Sequence, residues 1–188
     1  MRRVALVHFV RIVSVLLLYC VNAYGDDLED KARELYQQTS LSSEEIPFDQ
    51  FYAGYQRFLR GYQDGDFKKS QMAFVNFSQP SSEQRFYLIS VSGSSANIIF
   101  KDYVAHGSGS GSEQDDRVNP SVFSNTSQSH QSSLGFYKIG EAPDYASPNV
   151  GKYILVDGLS GSEYNSLARK REILIHTGKY VNARYAAA

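Results

Sequence analysis

The spacing of apolar residues changes near residue 71, and this change limits the folds that the chain can adopt. Before it, apolar residues recur at intervals of three and four, as on one face of a helix. After it, short runs rich in β-branched and aromatic residues are separated by turn-forming residues, as in antiparallel strands. The pattern therefore predicts a helical segment in residues 26–70 and a β-rich region in residues 71–188.

Two amphipathic helices are predicted in the first segment. The stretch DDLEDKARELYQQTS (26–40) has acidic residues in its first turn and apolar residues at Leu28, Ala32 and Leu35. The stretch PFDQFYAGYQRFLRGY (47–62) starts with a proline, which suits the first turn of a helix, and carries a stripe of aromatic residues. Such a stripe is far more often core packing than a ligand-binding feature.

Six runs in the second region are predicted to be strands. They are QMAFVNFSQ, QRFYLISVS, ANIIFKDYVAHG, LGFYKIG, KYILVDG and REILIHT. The first three are predicted to form an antiparallel meander, because QPSSE and SGSS between them resemble hairpin turns. The polar stretch 107–133 is predicted to be a functional or disordered loop, and residues 159–170 a loop with a short helix. The predicted fold class is mainly β, of the α+β kind, with N-terminal helices.

The first 25 residues are predicted to be a secretory signal peptide. Arginines precede the apolar stretch IVSVLLLYCV, and Ala23 and Gly25 are the small residues that a signal peptidase reads. A transmembrane anchor is the alternative, but the uncharged stretch is shorter than the roughly 20 residues that a span needs. A lipid anchor is not expected, because Tyr19 precedes Cys20 where a small residue is required. The chain is therefore expected to be periplasmic or otherwise extracytoplasmic, without a stable membrane anchor.

Composition argues against two classes of function. After residues 1–25, the chain has 16 Lys and Arg against 20 Asp and Glu, a net charge of about −4. It lacks the basic character of nucleic-acid-binding proteins, so no nucleic-acid partner is predicted. Cys20 is the only cysteine and belongs to the predicted signal peptide. Residues 26–188 can therefore form no disulfide and contain no thiol nucleophile.

Several short motifs indicate other functions only weakly. The stretch GSGSGS (107–112) is glycine-rich like a phosphate-binding loop, but no Gly-Lys-Ser/Thr follows it. The histidines after the signal peptide lack the spacing of a metal site, and no cofactor is predicted. A Ser-His-Asp hydrolase is an open alternative, although no Gly-x-Ser-x-Gly elbow follows a strand. Glycosylation sequons occur at Asn76 and Asn125 and are assigned no role.

Several separated stretches together resemble one protein family. They are YVAHGSGSG (103–111), VFSNTSQSHQSSLGFY (122–137), DGL (157–159) and NSLARKREILIHTGKYV (165–181), with FSQPSSEQRFYLIS (77–90) fitting the first strands. In this order they resemble the murein L,D-transpeptidase catalytic-domain proteins, a branch of the YkuD-like superfamily. The resemblance covers residues 45–182. It implies a β-sandwich or meander in residues 71–188, an incomplete catalytic domain whose C-terminal part is missing.

The resemblance also implies a chemistry and a substrate, the stem peptides of peptidoglycan. Such enzymes cleave an L,D peptide bond, form a cysteine acyl-enzyme and pass the acyl group to an amine of a neighbouring stem. A histidine at the end of a strand lowers the pKa of the cysteine thiol, and backbone amides stabilise the oxyanion. His176, which ends the run ILIH, is in the matching place. By resemblance it is predicted to be the general base.

Two features depart from the family pattern. The family's nucleophile lies in a Ser-x-Gly-Cys motif beyond the histidine, and the 12 residues after His176 do not contain it. Thr177 stands where the family usually has glycine, and its β-branched side chain would limit close backbone approach. The chain is therefore expected to be a truncated family member that is catalytically inactive as given.

Four further residues are predicted, by resemblance, to border the substrate groove. His106 and Gly107 end an apolar strand, whereas Ser133 and Gly135 belong to a stretch similar to the family's Thr-Pro-x-Gly-x-Tyr turn. Structural roles are the alternatives. His106 can hydrogen-bond a loop carbonyl, and the second stretch can simply be the start of a strand.

Three functions are compatible with these residues. The first prediction is an exported L,D-transpeptidase-like protein related to peptidoglycan cross-linking but inactive by itself. The alternative is a non-catalytic module that binds peptidoglycan or a cell-wall protein, and an enzyme of another chemistry ranks third. Arg169 and Arg171 can meet stem-peptide carboxylates, or they can be solvated surface charges.

Overall fold

The computed structural model describes residues 27–111, 118–143 and 151–176, together with residues 178 and 181. Over these residues the chain forms two helices and two three-stranded antiparallel sheets. The predicted α+β class with N-terminal helices is therefore confirmed.

Three of the sequence predictions fall outside the described residues: the signal peptide, the cysteine at position 20 and the threonine after His176. The structure gives no information on them, and they stay predictions. Within the described part of the chain, neither helix has both the length and the apolar character that crossing a membrane requires.

Both helices form where the apolar spacing predicts them. Helix α1 covers residues 27–39, and helix α2 covers Phe48–Gln63. Pro47 precedes α2. Proline has no amide hydrogen, but the helix loses no hydrogen bond, because the first amides of a helix have no acceptor within it. The buried aromatic residues of α2 recur at intervals of three or four: Phe51, Tyr55 and Phe58. The aromatic stripe thus faces the interior of the protein.

The first sheet packs against these helices. It contains β1 (Gln71–Val75), β2 (Phe86–Ser92) and β3 (Ser95–Asp102), in the order β1-β2-β3. Alternate residues of the central strand are buried, as the period of two predicts: Tyr87, Ile89 and Val91. These side chains share one core with residues of both helices. The core therefore draws on both sides of the predicted boundary between residues 70 and 71.

The second sheet has a much smaller apolar core. It contains β4 (Tyr137–Ile139), β5 (Tyr153–Gly158) and β6 (Leu174–His176), in the order β4-β5-β6. Val156 and Ala168 are the buried apolar residues among the described residues after position 102. Buried polar residues outnumber them: His106, Ser110, Asn125, Ser133 and Asn165. Hydrogen bonds therefore position this half of the molecule more than apolar packing does.

The predicted short helix in residues 159–170 was wrong, because residues 162–172 form a succession of turns. The amides of Asn165 and Ser166 both donate to the carbonyl of Gly161, at 3.2 and 3.0 Å, whereas Ala168 donates to Asn165 at 2.9 Å. These spacings differ from the constant interval of an α-helix. The side chain of Asn165 also accepts a hydrogen bond from the Ser160 amide at 2.9 Å, which competes with regular helix formation.

Asn76 connects the first sheet to the segment between the two helices. Its side chain is buried, and Nδ2 donates to the carbonyls of Glu44 and Glu45 at 3.0 and 2.7 Å. Its Oδ1 accepts a hydrogen bond from the Ser78 amide at 2.9 Å. The amide nitrogen of this sequon is therefore used within the folded chain.

Asn76→Ala is expected to lower the free energy of unfolding by about 2–3 kcal/mol, because three backbone groups lose their side-chain partner. Urea denaturation followed by far-UV circular dichroism measures the change. Asn97→Ala removes an exposed amide from β3 and serves as the control, with an expected change within about 0.5 kcal/mol. Equal losses in the two variants would show that the Asn76 hydrogen bonds contribute no stability of their own.

Candidate functional site

The register of the second sheet separates the predicted site residues. His176 pairs with Tyr153 at the start of β5, whereas Tyr137 pairs with Gly158 at its end. Five residue steps along a strand correspond to roughly 17 Å. Gly135 precedes Tyr137 by two residues, so it lies at the end of β5 that is remote from His176. The structure therefore does not bring these two residues into one cluster.

His176 is the last residue of β6, as the sequence indicates, and it is partly buried. Within the described residues, β6 is an edge strand of its sheet. An edge position suits a general base that receives a proton from a nucleophile on another segment. Residues 27–188 contain no cysteine, so such a thiol is not among them. The role of His176 as general base stays a prediction.

His106 is buried against Arg85, with 1% and 0% of their surfaces exposed. Arg85 donates to the carbonyl of Val104 from Nε and Nη2, at 3.1 and 2.9 Å, and from Nη1 to the carbonyl of Gln79 at 2.8 Å. Its Nη2 also lies 2.8 Å from Nδ1 of His106, which must accept because a guanidinium only donates. Burial lowers the pKa of Arg85 to about 10. This burial favours the structural alternative for His106, and its substrate-binding role stays a prediction.

Gly107 packs closely against a second loop. A Cβ atom at Gly107 would lie 2.2 Å from the carbonyl oxygen of His130, so only glycine fits there. The Gly107 amide donates to Ser132 Oγ and the Gly109 amide donates to the His130 carbonyl, both at 2.9 Å. These amides are used within the protein, unlike those of a phosphate-binding loop. The contacts order residues 107–111, whereas a groove contact of Gly107 stays a prediction.

Ser133 belongs to a polar cluster around the guanidinium of Arg171. Arg171 donates from Nη1 to the Ser124 carbonyl and to Ser133 Oγ, and from Nη2 to Ser129 Oγ and the Gln131 carbonyl. Ser133 is buried, and its hydroxyl donates to the Ser124 carbonyl at 2.7 Å. Arg171 is thus a structural link between the loop before β4 and the turns before β6. The sequence analysis gave a solvated surface charge as one alternative for Arg171. These four hydrogen bonds to protein groups show that Arg171 is not such a charge.

Gly135 lines an open groove of about 590 Å³ between α2 and the second sheet. The described lining of this Gly135 groove consists of Arg57, Leu134, Gly135, Phe136, Leu159, Ser160 and Tyr164. Gly135 has a φ angle of 118°, and a Cβ atom there would lie 2.5 Å from Ser160 Oγ. Both observations require glycine at this position. Its contact with a substrate stays a prediction.

Asn165 holds the two segments that form this groove. It is fully buried, and its Nδ2 donates to the Phe136 carbonyl at 2.8 Å while Oδ1 accepts from the Ser160 amide at 2.9 Å. Ser160 Oγ accepts from the Phe136 amide at 2.7 Å, and the Leu159 amide donates to the Phe136 carbonyl at 2.8 Å. Both backbone groups of Phe136 are thus bound, which fixes the floor of the groove.

One ion pair joins β5 to the turns that follow it. Arg169 forms an ion pair with Asp157, and its hydrogen bond lowers the pKa of that carboxyl. Because both side chains are partly exposed, the pair contributes little stability. Over the described parts of the chain, no three His, Cys, Asp or Glu side chains come together in a group that could hold a metal ion.

Sequence reasoning missed two residues that organise this region, Arg85 and Asn165. It named Arg171 but missed its structural role. Charged and amide side chains are usually exposed, so a buried one leaves no periodic signal. The glycines beside them did carry a signal, because glycine in DGL and in LGFY marks places where backbone segments can approach closely.

Comparison with known proteins agrees with the resemblance found in the sequence. A family model described as the L,D-transpeptidase catalytic domain matches residues 42–188. Neither a curated protein nor a solved structure shows significant similarity to the chain. The matched residues include α2 and all six strands and make up well over half of the chain. The chain therefore belongs to the L,D-transpeptidase catalytic domain family.

Proposed function

We propose that this chain is an exported protein that recognises the stem peptides of peptidoglycan. Family membership relates the chain to peptidoglycan cross-linking and to peptidoglycan as the general substrate. The match over residues 42–188 is the observation that carries the proposal. Export is supported by the apolar stretch that follows the N-terminal arginines and ends before small residues.

Acyl transfer in this proposal uses His176 as the general base. The imidazole takes the thiol proton, and the thiolate forms a bond to the carbonyl carbon as the peptide C–N bond breaks. The leaving amine takes up that proton. An acceptor amine then attacks the thioester carbonyl and displaces the thiolate, and the proton that this amine loses passes through the imidazole back to the sulfur. Residues 21–188 contain no cysteine, so the thiol has to come from elsewhere. We therefore expect residues 26–188, the chain without its predicted signal peptide, to form no acyl-enzyme by themselves.

Binding of peptidoglycan without catalysis is the second candidate function. The Gly135 groove favours it, because Leu134, Phe136 and Tyr164 expose large apolar surfaces beside a fixed backbone. Exposed apolar side chains around a groove are typical of ligand or partner sites.

Co-sedimentation with purified peptidoglycan sacculi tests the proposal. The polypeptide is expected to be retained by intact sacculi and released when an amidase has removed the stem peptides. Intact-mass measurement on the same samples is expected to show no acyl adduct. Equal retention on stripped glycan would contradict stem-peptide recognition, and an acyl adduct would contradict the expected inactivity.

A further inference from the structure

The Gly135 groove contains a cationic side chain for which the described residues supply no partner. Arg57 reaches the groove from α2, and no ion pair of Arg57 occurs among the described residues. Its Nε is buried and has no hydrogen-bond partner in this part of the chain. A buried N–H donor without an acceptor is unfavourable, and an anion bound by the same, partly exposed guanidinium gives this cation a partner that the described residues do not supply. The arginine therefore indicates an anionic ligand.

The rest of the described lining is consistent with an anionic ligand that also has an apolar part. No acidic side chain is among these residues, so nothing in the described groove competes for Arg57. Leu134, Phe136 and Tyr164 are 44%, 40% and 52% exposed. A ligand lying along the groove would cover these surfaces, which favours its binding.

The groove needs little rearrangement to receive a ligand. Asn165 and Ser160 bind both backbone groups of Phe136. The backbone at Gly135 has a φ angle of 118° and lies close to Ser160. Preorganised sites lose less conformational entropy on binding than flexible ones. Guanidinium groups match carboxylates particularly well, because their planar donors can make two parallel hydrogen bonds.

We propose that the Gly135 groove binds the C-terminal end of a peptide, with Arg57 binding its carboxylate and Phe136 and Tyr164 contacting the preceding side chains. The peptide as ligand class rests on the proposed function, whereas the carboxylate is inferred from Arg57 itself. Arg57 is then a specificity-determining residue on a helix that lies before both sheets in the sequence.

Calorimetric titration with two synthetic stem tetrapeptides tests this assignment. One peptide has a free C-terminal carboxylate, and the other is its C-terminal amide. The acid is expected to bind the unmodified polypeptide at least about tenfold more tightly than the amide, since one charge-assisted interaction is lost. Equal affinities would overturn the assignment, and this comparison needs no variant.

Two variants locate the effect. Arg57→Gln is expected to remove the preference for the acid, so that the variant binds the two peptides with equal affinity. Arg60 lies on the same helix, is exposed and is outside the described groove lining. The Arg60→Gln variant is therefore expected to keep the preference for the acid. An unchanged preference in Arg57→Gln would overturn the role of Arg57. Failure of both peptides to bind, with retention on intact sacculi, would overturn the groove assignment alone, whereas loss of sacculus binding as well would overturn the proposed function.

Discussion

Arg85→Met is expected to lower the free energy of unfolding by about 3–5 kcal/mol, because one buried and two partly buried acceptors lose their donor at about 1–3 kcal/mol each. These acceptors are the carbonyls of Gln79 and Val104 and Nδ1 of His106. The variant no longer buries a cation, which offsets part of the loss. Arg85 joins the first sheet to the start of the glycine-rich loop, so the variant is also expected to expose that loop to proteolysis.

Guanidinium chloride denaturation followed by far-UV circular dichroism measures this loss. Arg60→Met is the matched control, since Arg60 is exposed near the end of α2 and no side-chain hydrogen bond of Arg60 occurs among the described residues. The control is expected to change the free energy of unfolding by less than about 1 kcal/mol. A similar small change in Arg85→Met would show that the buried network does not stabilise the fold.

Gly158→Ala is expected to cost about 3 kcal/mol, because its Cβ atom would lie 1.8 Å from the Asn165 carbonyl oxygen. The backbone of Asn165 must then move, and this displaces the side chain that holds the Gly135 groove. The variant is therefore expected to lose affinity for the stem tetrapeptide as well as stability. Thermal unfolding and calorimetric titration of the same sample measure the two losses.

Gly151→Ala near the start of β5 separates close packing from backbone strain. Gly151 has a φ angle of 70° with no atom within 4 Å of its ideal Cβ, so only the left-handed conformation opposes alanine there. That cost is about 1–2 kcal/mol. We expect Gly151→Ala to keep peptide affinity. If the two variants lost stability equally and both kept affinity, the close approach between Gly158 and Asn165 would have no functional consequence.

The helices and strands could be predicted because their signals are local. Leu28, Ala32 and Leu35 recur at helical spacing, and alternation in FYLISVS needs only neighbouring residues to be read. The predicted helix in residues 159–170 failed for the opposite reason. Asn165 bonds to groups outside its own segment, and those bonds take precedence over local helix propensity.

In the candidate site, too, local motifs could be read from the sequence, whereas contacts between distant residues could not. Sequence resemblance assigned the correct family, because short ordered motifs are visible along the chain. The roles that it implies for His176 and Gly135 stay predictions. The antiparallel pairing of β5 puts these two residues at opposite ends of that strand. Strand pairing depends on contacts between distant residues, so no local pattern contains it.

The sequence by itself determined the family and the order of the two N-terminal helices and the six strands, but wrongly added a helix in residues 159–170. Only the tertiary structure decided which polar groups are buried and where the groove lies. Arg57 and Arg85 illustrate the reason, since both are arginines beside aromatic residues in the sequence. Packing gives Arg85 three acceptors, whereas the described residues give Nε of Arg57 none, because acceptors come from segments that are distant along the chain.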